Sequence, residues 1–117
     1  MVQRAPRRVL VVEDESLVAM LLEDVLGDLG CEVIGPAASV EQALALIAAG
    51  GFDFALLDVK LGAAATSFPV ADALRAAGVP FAFVTGYGAE SLRPDLRDTP
   101  VIAKPIDPEA IAALLAG

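Results

Sequence analysis

The sequence predicts one doubly wound α/β domain, in which helices cover both faces of a five-stranded parallel sheet. Five short apolar segments alternate along the chain with five helix-like segments, and this alternation is typical of parallel sheets that are buried on both faces. The length of 117 residues, of which 56% are hydrophobic, fits a single domain with a substantial core. For five strands of this kind, the expected order across the sheet is 2-1-3-4-5.

The five strands are short apolar runs, and four of them end at a polar or charged residue. They are expected at residues 8–12, 31–34, 52–57, 80–84 and 101–103. The second run contains Glu32, which favours a position at the edge of the sheet. The other four lead into Glu13, Asp58, Thr85 and Lys104. A loop rich in Gly, Ala, Ser and Thr is expected after Asp58.

Apolar spacing and capping residues predict the helices. They are expected at residues 16–29, 39–49, 69–77 and 108–116, with a short or irregular one between 89 and 99. The segment 39–42, Ser-Val-Glu-Gln, fits a capping box. Asp107 followed by Pro108 fits an N-cap with proline at the first helical position. Pro94 and several charges interrupt the stretch that would hold the fourth helix.

Composition excludes several kinds of site. The chain has no histidine, which rules out Ser-His-Asp and Cys-His catalysis, histidine-ligated zinc and a role as a phosphohistidine carrier. The single cysteine, Cys31, cannot form an internal disulfide and is expected to be a small core residue. A net charge of −8 and a sequence pI of about 4.2 argue against binding to nucleic acid or to anionic membranes.

The apolar stretches also bear on domain organisation and location. None is long enough to span a membrane, and the run at 9–12 after the basic N-terminus is too short for a signal peptide. We therefore expect a cytoplasmic protein in which residues 1–117 form one domain and residues 1–7 a flexible extension. The alanine-rich helix faces leave both a monomer and a homodimer open.

The polar residues at the strand ends indicate a phosphoryl-transfer site. In an open α/β sheet, ligands bind outside the carboxyl ends of the strands. The sequence places there Glu13, Asp14, Asp58, Thr85 and Lys104. Carboxylate oxygens bind Mg²⁺, a carboxylate can attack phosphorus, and a hydroxyl and an ammonium group can bind phosphoryl oxygens. Three clustered carboxylates repel one another without a cation, so we expect Mg²⁺ as the cofactor.

Four short motifs resemble the receiver domains of two-component signalling, and the resemblance extends over almost the whole chain. They are Val11-Val12-Glu13-Asp14-Glu15, Leu56-Leu57-Asp58-Val59, Phe83-Val84-Thr85-Gly86 and Lys104-Pro105. The resemblance implies a flavodoxin-like fold and a response regulator that takes a phosphoryl group from phosphohistidine of a histidine kinase or a phosphotransfer protein. Such a domain catalyses its own phosphorylation and slow dephosphorylation, and it turns over no metabolite.

The resemblance also implies a metal site. Asp14 would ligate Mg²⁺ directly and Glu13 through a water molecule. Asp58 and the backbone carbonyl of Lys60, two residues further on, would be the remaining protein ligands.

The same resemblance implies how the phosphoryl group is held. Asp58 would be the nucleophile and become the aspartyl phosphate. Thr85 would bond a phosphoryl oxygen and report its presence, and Lys104 would pair with the phosphoryl group. The Lys104–Pro105 peptide bond is expected to be cis, as is usual in the family.

A narrower resemblance links the chain to single-domain receivers called FAT GUY regulators. The segment 80–88, Pro-Phe-Ala-Phe-Val-Thr-Gly-Tyr-Gly, is similar to their motif, in which Phe-Ala-Thr-Gly-Tyr is usual, with Val84 in place of Ala. The segment 67–72, Ser-Phe-Pro-Val-Ala-Asp, is also similar. This subgroup implies a stand-alone regulator, often in bacterial general stress signalling.

Two departures from the usual receiver pattern bear on the switch. Val101 stands where most receivers carry a Tyr or Phe that turns inward on phosphorylation. We therefore interpret Tyr87, separated from Thr85 by Gly86, as the mobile aromatic, with a packed surface aromatic as the alternative. The degraded fourth helix implies that output uses another surface or the loop at 86–99.

The sequence has three alternative functional interpretations. A receiver-like module could bind partners independently of phosphorylation. An aspartate-nucleophile phosphatase of the haloacid-dehalogenase kind needs a second aspartate two residues after the nucleophile, where this chain has Lys60. A flavodoxin-like FMN carrier is disfavoured, because no Ser/Thr-rich phosphate loop follows the first strand. Among receivers, an output regulator and a phosphate sink both remain open.

Overall fold

The structure is a computed structural model that describes residues 7–62 and 65–116. The strands are β1 (Arg8–Val12), β2 (Glu32–Ala37), β3 (Phe54–Asp58), β4 (Lys60–Leu61), β5 (Ala65–Thr66), β6 (Phe81–Thr85) and β7 (Val101–Ala103). The α-helices are α1 (Ser16–Asp28), α2 (Val40–Ala49), α3 (Phe68–Ala77) and α4 (Pro108–Ala116). The extension predicted for residues 1–7 lies, apart from Arg7, outside the described residues.

The main sheet confirms the predicted topology. Its five strands are parallel and lie in the order β2-β1-β3-β6-β7, which is 2-1-3-4-5 when only these strands are counted. The strand that contains Glu32 is at the edge, as predicted. Because β1 and β3 are central neighbours, their carboxyl ends bring the first acidic loop next to Asp58.

Alternation along each central strand divides the core between the two faces of the sheet. One face is covered by α2 and α3, and its core includes Leu10, Leu57, Val70, Leu74 and Phe83. The other face is covered by α1 and α4, and its core includes Val11, Leu22, Leu26, Leu56 and Ile111. Helices therefore lie on both faces, as the sequence predicted. Cys31 is half-buried against the second core.

Local capping follows the sequence signals. Ser39 Oγ accepts a hydrogen bond from the Gln42 N–H at 3.2 Å, and the Gln42 side chain accepts one from the Ala38 N–H at 2.8 Å. Asp107 Oδ1 accepts a hydrogen bond from the Glu109 N–H at 2.9 Å. Ser39 and Asp107 thereby satisfy backbone donors that the first turns of α2 and α4 leave free.

The segment between β6 and β7 forms two short 3₁₀ turns instead of an α-helix. They span Ala89–Ser91 and Pro94–Leu96. Arg93 fastens the segment to α3, because its guanidinium pairs with Asp72 and its cation lies 5.9 Å from the centre of the Phe68 ring. The predicted irregular fourth helix is thus confirmed.

Two features differ from the prediction. The second strand was expected at residues 31–34 but spans Glu32–Ala37, because an edge strand tolerates the proline at position 36. The stretch after Asp58 was expected to be a loop, but β4 and β5 pair there as a small antiparallel hairpin. In the described part of the chain, no helix has the length and apolar character needed to cross a membrane.

Candidate functional site

Most of the predicted site residues line one cavity at the carboxyl ends of β1, β3, β6 and β7. The cavity has a volume of about 490 Å³. Its lining includes Asp14, Asp58, Lys60, Thr85, Gly86, Tyr87 and Lys104. Parallel strands end at the same edge of a sheet, so four separate segments deliver these side chains to one place. The topology therefore brings these side chains together at one edge of the sheet.

Three carboxylates form the acidic side of the site. One oxygen from each of Glu13, Asp14 and Asp58 lies within 4.8 Å of the others. Glu13 and Asp58 are buried, whereas Asp14 is exposed. Oxygen atoms at this separation can share one hard divalent cation.

Lys104 provides the positive charge of the site. Its Nζ lies 3.2 Å from Asp58 Oδ2 and 3.3 Å from Glu13 Oε1. Burial alone lowers the pKa of Lys104, but the negative charges of Asp58 and Glu13 outweigh burial and raise the pKa above its ordinary value. Lys104 therefore stays charged throughout the neutral pH range.

Glu13 is a buried carboxylate with a raised pKa. Burial raises its pKa to about 7, and the nearby Asp58 carboxylate adds to the rise. The Glu15 N–H, which donates to Glu13 Oε2 at 3.1 Å, and Lys104 oppose it. Although Lys104 is close, Glu13 Oε1 makes no hydrogen bond to any described residue. A buried oxygen without a donor is a position where a cation or its water would compensate the burial.

Thr85 connects the site to the loop after β6. Its side chain is buried, and its Oγ1 accepts a hydrogen bond from the Tyr87 N–H at 3.1 Å. Its carbonyl accepts a hydrogen bond from the Lys104 N–H at 3.0 Å. Movement of the Thr85 hydroxyl group would therefore alter a hydrogen bond to the Tyr87 backbone.

Tyr87 lies at the mouth of the cavity with 69% of its surface exposed. The Lys60 Nζ lies 5.1 Å from the centre of its ring, within the range of a cation–π contact. Tyr87 is therefore an exposed side chain with one weak contact, to Lys60. Such a contact would permit the movement that we predict for Tyr87.

Val101 does not line the cavity. It is half-buried in β7, opposite Phe83 of β6, and packs against the core on the α2–α3 face. The Lys104–Pro105 peptide bond is cis, as expected from the resemblance.

The residues at this site fit Mg²⁺. The donor set consists of hard carboxylate oxygens from Glu13, Asp14 and Asp58, and one of the buried oxygens, Glu13 Oε1, has no hydrogen-bond partner among residues 7–62 and 65–116. Asp14, Asp58 and Lys60 all line the cavity.

The raised pKa of Glu13 predicts how stability depends on pH without metal. Between pH 4.5 and about 7, the folded protein retains a proton that the unfolded chain has released. The free energy of unfolding therefore falls as the pH rises through this window. Glu13→Gln should flatten this profile and raise the free energy of unfolding at pH 8 by roughly 2–3 kcal/mol.

Urea unfolding in EDTA at pH 5, 6, 7 and 8 measures this effect. Glu41→Gln, which changes an exposed acid on α2, should shift stability by less than about 0.5 kcal/mol. A Glu13→Gln profile parallel to that of the parent protein would show that Glu13 does not carry the buried charge.

One contact at the site could not be predicted from the sequence. The backbone N–H of Gly62, in the turn after β4, donates a 2.9 Å hydrogen bond to Asp14 Oδ2. A glycine in a stretch rich in Gly and Ala gave no signal beyond a loop, because the acceptor is distant in the sequence.

Comparison with known proteins agrees with this geometry. The family described as the response regulator receiver domain matches residues 9–116. The chain is 30% identical over 117 residues to the transcriptional regulatory protein PdtaR of Mycobacterium tuberculosis, a match that covers 94% of this chain and 54% of that protein. It is 32% identical over 111 residues to the phyllosphere-induced regulator PhyR of Methylorubrum extorquens, covering 92% and 41% respectively. The chain thus spans about half the length of the curated relatives that it matches.

Solved structures extend the likeness over the whole domain. The solution structure of SdrG from Sphingomonas melonis Fr1 is 43% identical, with a TM-score of 0.86 and 97% of both chains covered. The BeF3-activated conformation of SdrG has a TM-score of 0.82 over the same share of each chain. With the family matched along nearly its full length and the fold shared throughout, this chain belongs to the response regulator receiver domains.

Proposed function

We propose that this receiver domain accepts a phosphoryl group on Asp58 in a Mg²⁺-dependent reaction and that phosphorylation changes its binding to a partner protein. The donor is phosphohistidine on a histidine kinase or a phosphotransfer protein. The observation that carries the proposal is the cavity in which a nearly buried carboxylate, Asp58, faces an ammonium group, Lys104, beside two further carboxylates.

The transfer exchanges one bond to phosphorus for another. An oxygen of Asp58 forms a bond to phosphorus while the bond between phosphorus and the histidine nitrogen breaks, and the imidazole leaves with the electron pair of that bond. Asp58 is 8% exposed, so the attacking carboxylate is accessible to a donor only through the cavity. When bound, Mg²⁺ neutralises the charge that the phosphoryl oxygens bring to the acidic cluster.

Residues of this chain then hold the phosphoryl group. Lys104, at 3.2 Å from Asp58 Oδ2, is placed to pair with a phosphoryl oxygen on the same carboxylate. The Thr85 hydroxyl group, which also lines the cavity, would donate a hydrogen bond to another phosphoryl oxygen. Thr85 Oγ1 also accepts a hydrogen bond from the Tyr87 N–H. If the Thr85 side chain turned toward the phosphoryl group, this hydrogen bond would change and alter the loop at the cavity mouth.

The other functions are less well supported. A phosphatase with an aspartate nucleophile needs a general acid two residues after it, and the side chain of Lys60 instead contacts Tyr87. A module that works without phosphorylation would have no use for Lys104 held between two carboxylates in a nearly buried site. We therefore propose that the chain catalyses its own phosphorylation and dephosphorylation only.

Intact-mass spectrometry after incubation with acetyl phosphate tests the proposal. The parent protein is expected to gain one phosphoryl group with Mg²⁺ and none when EDTA replaces it. If acetyl phosphate fails, a phosphorylated phosphotransfer domain serves as the donor. Failure of both donors on folded protein would overturn the proposal and favour the phosphorylation-independent binding module.

Tyr87 is predicted to respond to phosphorylation through Thr85. Tyr87 is the only tyrosine and the chain has no tryptophan, so its fluorescence reports on the cavity mouth. We expect BeF₃⁻ with Mg²⁺ to change this fluorescence in the parent protein. Thr85→Val keeps the shape of the side chain but removes the hydroxyl, and it should lose most of the response.

Thr99→Val is the matched control, since Thr99 is half-buried in the turn before β7, outside the cavity lining. It should respond as the parent does. An undiminished response in Thr85→Val would remove Thr85 from the pathway. If Tyr87→Ala also left phosphorylation-dependent partner binding unchanged, the switch role of Tyr87 would be wrong.

A further inference from the structure

The hairpin of β4 and β5 contacts the acidic cluster through a residue to which no role has been assigned. The Gly62 N–H donates a 2.9 Å hydrogen bond to Asp14 Oδ2, across 48 positions of sequence. We propose that Gly62 is a positioning residue that orients the Asp14 carboxylate for Mg²⁺. This inference rests on the proposed function, because it assigns a cause to the metal affinity which that function requires.

Asp14 needs such support more than the other two carboxylates do. Burial restricts Glu13 and Asp58, and Lys104 lies against both. Asp14 is exposed, and an exposed carboxylate that rotates freely loses that freedom when it binds a metal. A charge-assisted hydrogen bond to one oxygen restricts the group in advance and leaves the other oxygen for the cation.

The hairpin gives Gly62 a fixed position. Leu61 is 4% exposed and anchors β4 in the core. At the base of the hairpin, the Val59 carbonyl accepts a hydrogen bond from the Ser67 N–H at 2.9 Å. The Gly62 amide, in the turn that directly follows β4, is therefore presented to Asp14 from a supported hairpin. Lys60, whose carbonyl is a predicted ligand, lies in β4, so this hairpin would supply one ligand and orient another.

The backbone conformation explains why a glycine is found at this position. Gly62 has a φ of +76°, and an added Cβ would meet no atom within 4 Å. The constraint is therefore not space. It is the left-handed backbone conformation, which directs the Gly62 N–H toward Asp14.

Gly62→Pro removes the N–H and the left-handed conformation together, and a matched variant exists elsewhere in the chain. Gly78, at the end of α3, has a φ of +73°, no atom within 4 Å of an added Cβ, and an N–H that donates to the Arg75 carbonyl at 3.1 Å. Gly78→Pro therefore also removes a glycine with positive φ, and it loses an N–H that donates to the Arg75 and Leu74 carbonyls, away from the site. Gly62→Asn keeps the N–H and tolerates positive φ.

Titration with Mg²⁺, followed by calorimetry, distinguishes these variants without any phosphoryl donor. We expect Gly62→Pro to weaken Mg²⁺ binding by about 10-fold or more, Gly78→Pro to leave it within about 2-fold, and Gly62→Asn to restore most of it. Equal losses in the two proline variants, or no loss in Gly62→Pro, would overturn the proposal. A parent protein that binds no Mg²⁺ would overturn the proposed function as well.

Amide hydrogen exchange in the parent protein gives a second test that needs no variant. Because Mg²⁺ would immobilise Asp14 in the orientation that Gly62 supports, exchange of the Gly62 amide is expected to slow when Mg²⁺ is added. Faster exchange would show that Asp14 leaves Gly62 to bind the metal, and it would contradict a positioning role.

Discussion

Asp58→Asn is expected to gain no phosphoryl group under conditions in which the parent protein gains one. The amide is a poor nucleophile, and loss of the attacking group should reduce the phosphorylation rate at least about 1000-fold. The variant should remain folded, because the change removes one of three mutually repelling carboxylates and leaves Lys104 paired with Glu13. Intact-mass spectrometry with acetyl phosphate and Mg²⁺ measures the loss.

Asp53→Asn is the matched control for this variant. Asp53 is exposed just before β3, at the amino end of the strand whose carboxyl end carries Asp58. It should be phosphorylated as the parent is. Phosphorylation of Asp58→Asn at the parental rate would place the acceptor elsewhere.

Asp14→Asn is expected to have the second largest effect, on the metal. Loss of an outer-shell partner typically weakens metal binding 10- to 100-fold, so loss of a direct ligand should weaken Mg²⁺ binding by about 100-fold or more. Because Asp14 is exposed, the free energy of unfolding should change by less than about 0.5 kcal/mol. Calorimetric Mg²⁺ titration and urea unfolding measure the two quantities independently.

Glu15→Gln provides the control for simple loss of charge. Glu15 lines the same cavity and is also exposed, but it is not a predicted ligand. It should weaken Mg²⁺ binding by no more than about 3-fold, the effect of one screened charge. Equal weakening in Asp14→Asn and Glu15→Gln would mean that the site attracts Mg²⁺ by net charge instead of binding it through Asp14.

Much of the fold could be predicted because its signals are local and repeated. Apolar runs such as 8–12 alternate with helical spacing, and buried parallel strands place their carboxyl ends together. That rule predicted that Asp14, Asp58, Thr85 and Lys104 lie together, and all four line one cavity. The irregular segment around Pro94 was also predictable, since proline interrupts a helix wherever it falls inside one.

The remaining features depend on contacts between distant residues. The strands of the β4–β5 hairpin have two residues each, too few to show a period, so they read as a loop. The bond from Gly62 to Asp14 and the pairing of Arg93 with Asp72 join segments far apart in the sequence. The burial of Glu13, which raises its pKa to about 7, depends on packing that an acidic motif does not reveal.

Borohydride trapping of the phosphorylated protein tests directly whether Asp58 is the residue that accepts the phosphoryl group. Borohydride reduces an aspartyl phosphate to homoserine, and peptide mass spectrometry then identifies the modified position. We predict homoserine in place of Asp58 in the sample treated with acetyl phosphate and Mg²⁺, and at no position in the sample treated with EDTA. Homoserine in place of Asp14 or Asp53, or a phosphoryl adduct that yields none, would contradict it.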